Sequence, residues 1–166
     1  EEAVDAPGLR LVLSAGVPGP WGEAAKSILA HKNLHYTAVA QQGGGENAAL
    51  RAWTGQNSAP VLVCDDLPPA CHWFDLLMLA ERLAPERPLV PLDSAQRVAV
   101  LGLSALIVGM DGFGWHRRLH MLAPMLTLPE PPEMIVRLGD KYGWSAQAHA
   151  AATGPTRRLK QIRWPA

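Results

Sequence analysis

The 166-residue chain has only two cysteines, Cys64 and Cys71, too few for a disulfide framework and without a metal-ligand spacing, which points to a reducing compartment. Neither charge is in excess. Lysine plus arginine number 15 and aspartate plus glutamate 15, so no overall field favours a nucleic acid or an anionic membrane. Long apolar runs are missing too: the longest, Val98 to Met110, is interrupted by Gly102, Ser104 and Gly109 and is too short to span a bilayer. No charged-then-apolar signal peptide opens the chain, although it does not begin with Met and removal of an upstream segment stays open. No internal repeat or low-complexity tract is present. These absences predict a cytoplasmic protein with neither nucleic acid nor membrane as partner.

What is present is apolar material, 48% of the residues, ample for a packed core in one domain or two small ones. The first half alternates strand-like and helix-like segments. Leu9 to Leu13 is an aliphatic run ended by Ser14, Gly16, Pro18, Gly19 and Pro20. Pro20 suits the first position of a helix whose apolar stripe is Trp21, Ala25, Ile28 and Leu29. His35 to Ala40 reads as a second strand, Gln41 to Gly45 as a flexible loop, Glu46 to Trp53 as a weak helix, and Pro60 to Cys64 as a third strand before a turn at Asp65-Asp66. Leu67 to Ala70 is a poor edge strand because Pro68 and Pro69 remove ladder donors. Trp73 to Leu83 is a helix buried through Leu76, Leu77, Leu79, Ala80 and Leu83. Residues 85–92, with three prolines, read as a linker between a domain over 1–84 and a helical one over 93–166. Asp93 and Gln96 make a capping-box-like start for a long helix to about Met121. After a proline-rich break at 128–132, a helix runs to about 152, Gly154-Pro155 interrupts it, and residues 156–164 form a basic amphipathic tail. The order predicts a four-stranded mixed sheet followed by helices alone.

Asn57-Ser58-Ala59-Pro60-Val61-Leu62-Val63 carries the chemistry. An X-Pro bond entering an aliphatic strand can be locked cis, which turns the backbone of Ala59 outward as a docking edge for a thiol peptide. A thiol is a nucleophile only when ionised, and a helix N-terminus with one hydroxyl donor lowers its pKa. Ser14, the only hydroxyl in the first loop, is the candidate donor, and serine is equally a turn former. Cys71 is a redox candidate or a small buried hydrophobe. His116 and His120 stand four apart without a third ligand, so no metal is expected.

Leu11-Val12-Leu13-Ser14, Gly19-Pro20-Trp21 and Ala59-Pro60-Val61-Leu62 together resemble the thioredoxin-like half of the glutathione transferase superfamily. The likeness continues through Leu79-Ala80-Glu81-Arg82-Leu83-Ala84-Pro85 and Gly114-Trp115-His116-Arg117-Arg118. It implies a thioredoxin-like α/β domain followed by an all-α domain, with glutathione as co-substrate contacting Pro20, Trp21, Ala59, Pro60, Cys71 and His72. It also implies a pocket for the electrophile shaped by Met110, Phe113, Trp115 and Arg117. The chain departs from the family at two places. Pro18 and Gly19 stand where a reactive serine or cysteine precedes the helix, with no tyrosine at the strand end. Cys71-His72 replaces the acid-serine pair that holds the γ-glutamyl carboxylate. Relative to the family, the chain also stops several helices early.

Two functions follow from the resemblance. In the first, glutathione or a related thiol docks along Ala59-Pro60 with its thiolate over the N-terminus of the Pro20 helix near Ser14, and attacks an apolar electrophile. In the second, the fold is a non-catalytic binding or assembly module. The two helical segments leave apolar surface uncovered, which implies a homodimer.

Overall fold

Leu9–Ser14 forms the central strand because its odd and even residues find different apolar partners. Leu9, Leu11 and Leu13 pack toward one cluster and Val12 toward another. The computed structural model describes residues 2–16, 19–65 and 67–143. A single turn, α1 (Glu2–Asp5), precedes this strand, β1, and α2 (Pro20–His31), β2 (Thr37–Gln41), α3 (Ala48–Thr54), β3 (Val61–Cys64) and α4 (Trp73–Leu83) follow. The sheet order is β2-β1-β3, with β2 parallel and β3 antiparallel to β1.

Leu11, Ala25, Leu29, Leu62, Leu76, Leu79 and Ala80 form the larger core, between the sheet and the helices α2 and α4. On the other face Val12, Val61, Val63 and Leu50 of α3 form a smaller one. Arg10 lies on that second face, 4% exposed, its guanidinium 5.7 Å from the Trp53 ring and donating to the Ala6 carbonyl. The expected fourth strand is reduced to a single bridge, Leu62 with Ala70. Pro68 and Pro69 explain the difference, since neither has an amide to donate.

The first expected helix starts at Pro20 as the sequence predicts, and the Trp73–Leu83 helix keeps its predicted bounds. The long helix from Asp93 does not run to Met121. It is two helices, α5 (Ser94–Val108) and α6 (Phe113–Leu122), with a turn between them. Asp93 does cap the first, its carboxylate accepting from the Gln96 amide at 2.9 Å. That turn admits only glycine at two of its positions. A Cβ on Gly109 would lie 2.4 Å from the Ala105 carbonyl oxygen and one on Gly112 2.8 Å from that of Leu106.

By length and composition Ser94–Thr127 taken as one piece is apolar enough to cross a membrane. α5 alone, at 15 residues, is about 22 Å long against a hydrocarbon core of about 30 Å. The linker residues are tied down: the Glu81 carboxylate accepts from the amides of Leu89 at 2.8 Å and Val90 at 3.4 Å.

The chain divides into two compact units between His116 and Arg117, later than the proline-rich segment, so that α5 goes with the sheet. In the second unit a 3-10 turn (Ala123–Thr127) packs with α7 (Glu133–Tyr142), burying Ala123, Ile135 and Leu138. Expectations for Pro18, Asp66, the helix past residue 143, Gly154-Pro155 and the basic tail fall outside the described residues.

Candidate thiol-binding site

The β1–β3 ladder pairs Leu9 with Cys64 and ends at Val12 with Val61. The ladder stops there: Ser14, at the end of β1 that leads into α2, and Ala59 each lie two residues beyond that last pair. Alternation along β1 puts Ser14 on the α3 face with Val12, and the Ala59 side chain packs against the Val12, Val61 and Leu50 cluster. The Ala59–Pro60 peptide bond is cis. Among the described residues no hydrogen bond engages the Ala59 backbone.

Ser14 is half-buried and its hydroxyl accepts from Gln41 Nε2 at 2.8 Å, across the β1–β2 pair that the two residues form. The Gln41 side chain is in turn held by Asn47, whose Nδ2 donates to Gln41 Oε1 at 2.9 Å. Asn47 has left-handed backbone, φ 45°, and Gln41 is 6% exposed. The expected flexible loop from Gln41 to Gly45 gives Gln41 no role, and the weak helix expected from Glu46 gives Asn47 none. The available signal was a strand-end amide one pairing away from Ser14, with an asparagine six residues on that tolerates positive φ.

Gly19 caps α2 in extended conformation without a side-chain bond, so among the described residues no N-cap side chain competes at that N-terminus. Pro20 is exposed at the first helical position. Trp21 is engaged elsewhere: its indole N–H donates to the Val108 carbonyl at 2.7 Å and its ring meets Trp115 edge-on at 6.1 Å. It fastens α2 to the end of α5 and the start of α6.

The Cys71 thiol donates to the Thr54 carbonyl at 3.6 Å, and its side chain packs with Ala59 on the smaller core. Burial and then the Asp75 carboxylate raise its pKa above the ordinary 9.0. Burial, followed by Asp65, does the same to Cys64. Neither is a thiolate at neutral pH. His72 is the N-cap of α4 but makes no capping bond, and it is exposed.

Met110 and Phe113, at 73% and 67% exposure, project from the α5–α6 turn, near which Trp115 is half-buried. Arg117 is exposed and belongs to the second unit. Among the described residues no three metal-ligating side chains gather.

No family model and no curated protein matches the sequence. Solved structures do match by shape. A glutathione S-transferase from Methylobacillus flagellatus with glutathione bound superposes at TM-score 0.57 and 16% identity, over 87% of this chain and 68% of that one. The Tau class glutathione S-transferase of mango, Mangifera indica, gives 0.54 and 17%, over 82% and 58%. Glutaredoxin 2 of Salmonella typhimurium in complex with glutathione gives 0.52 and 17%, over 88% and 65%. The chain thus spans between 58% and 68% of the length of these three. It has the fold of the glutathione transferase superfamily, a small thioredoxin-like α/β half followed by helices.

Proposed function

We propose that the chain binds glutathione, or a related thiol, along Ala59-Pro60 and conjugates it to an apolar electrophile. The observation that carries this is the Ala59 backbone, which no hydrogen bond engages among the described residues, together with a chain that runs from Ser14 at the end of β1 into an α2 N-terminus whose N-cap, Gly19, has no side chain to bond it. On binding, the thiol gives its proton to solvent, and the Ser14 hydroxyl with the α2 amides stabilises the sulfur anion. The sulfur lone pair then forms a carbon–sulfur bond as the leaving group departs with the electrons of the bond it breaks. Met110, Phe113 and Trp115 offer the apolar contacts for such an electrophile. The protein works in the cytoplasm as a homodimer, without nucleic acid or membrane.

Calorimetric titration with glutathione and conjugation of a reactive aryl halide test the proposal. Binding with turnover that Ser14→Ala abolishes supports it; turnover kept by Ser14→Ala assigns the work to the α2 amides and makes Ser14 a turn former. Cys71-His72 in place of an acid-serine pair favours a second reading, a non-catalytic binding or assembly module. An absence of glutathione binding by the intact chain decides for that module.

A further inference from the structure

We infer that Gln41 is a positioning residue that fixes the direction of the Ser14 hydroxyl proton and thereby the ionisation of the bound thiol, an inference resting on the glutathione proposal above.

The orientation is set from Asn47 outward. Its Oδ1 accepts from the Gln42 amide at 3.0 Å. Its Nδ2 faces four oxygens: the Gln42 carbonyl at 2.8 Å, Gln41 Oε1 at 2.9 Å, the Gly45 carbonyl at 3.0 Å and the Asn57 carbonyl at 3.2 Å. Turning that amide over would set an oxygen against four oxygens and a nitrogen against an N–H, so only one orientation is possible. Gln41 must then present its oxygen to Asn47 and its Nε2 to Ser14. A hydroxyl that faces an amide donor has to accept, and it keeps its single proton for another partner. Among the described residues none takes that proton. Accepting from Gln41 also polarises the hydroxyl and strengthens its own donation. A serine is an indifferent rotor in a turn; here it is aimed. The acceptor it suits is an anion lying along the unengaged Ala59 backbone, which like Ser14 lies two residues past the last β1–β3 pair.

The test uses the full chain with glutathione as probe, following thiolate ultraviolet absorbance against pH. Gln41→Glu keeps an oxygen toward Asn47 but offers Ser14 an acceptor in place of a donor, which draws the proton away from the thiolate. Gln41→Leu removes the donor without adding charge. Both are expected to raise the ionisation midpoint of the bound thiol toward the Ser14→Ala value, by up to about one pH unit, while glutathione affinity measured below the midpoint stays the same. In the Ser14→Ala background Gln41→Leu should move the midpoint no further. A midpoint unmoved by both single changes overturns the inference with the glutathione proposal intact. An equal shift with and without Ser14 also overturns it, since Gln41 would then act by field or fold. Failure of the wild type to bind glutathione overturns both.

Discussion

The Lys32 ammonium, completely shielded, lies 2.6 Å from the Glu81 carboxylate and 2.8 Å from the Ala84 carbonyl. The pair joins the end of α2 to the last turn of α4, and the same carboxylate collects the amides of Leu89 and Val90. One buried charge pair therefore sets both the helix packing beneath the site and the path of the chain toward α5.

Breaking that pair leaves a buried charge alone, so Lys32→Met should destabilise by about 3–5 kcal/mol in urea unfolding. Burial pushes the Glu81 pKa up, but the Lys32 bond and the two amides outweigh it and the net direction is below the ordinary 4.5. A depressed carboxyl stabilises above its unfolded value, and that contribution is lost as pH falls through the folded value. Wild-type stability should thus drop below about pH 4.5, more steeply than that of Glu81→Gln. Parallel slopes for the two would refute the assignment.

At the α4 N-terminus, His72→Ser should add about 1 kcal/mol of stability, because the present N-cap makes no bond. Cys71→Glu with His72→Ser should tighten glutathione roughly ten- to hundredfold by restoring a charge-assisted anchor of about 1.5–3 kcal/mol. An unchanged dissociation constant would place the carboxylate contact elsewhere.

Trp21→Phe keeps the ring against Trp115 but strands the Val108 carbonyl. A loss of about 1–3 kcal/mol is expected, together with faster amide exchange at the C-terminal turn of α5. Unaltered exchange there would show that other contacts hold α5.

α5 buries none of its residues, and Val98, Leu103, Leu106 and Ile107 are between 52% and 73% exposed. Light scattering of the chain should report a dimer that Leu106→Glu converts to monomer. A monomeric wild type at every concentration would refute the homodimer.

Much of the thioredoxin-like half was legible because its signals are local. Pro20 at a helix start, the aliphatic run of β3 and the stripe of α4 each lie within one element. The Gln41–Ser14 bond was not legible, since residues 27 apart meet only through parallel strand pairing that no spacing encodes. Cys71 likewise shows its partner, Thr54, only in three dimensions. The break of the Asp93 helix was written in Gly109 and Gly112, but glycine tolerates a helix interior, and only the carbonyls of Ala105 and Leu106 show why nothing larger fits.

Those two glycines also bound how much apolar surface a single helix presents. The apolar stretch that begins at Ser94 is divided at the turn they hold, and Asp111, Arg117 and Arg118 put charge on the chain beyond Val108. Before that turn stands a 15-residue helix, about 22 Å long, whose exposed apolar side chains fall short of a hydrocarbon core of about 30 Å. Two absent Cβ atoms thus set the reach of the exposed apolar face of α5.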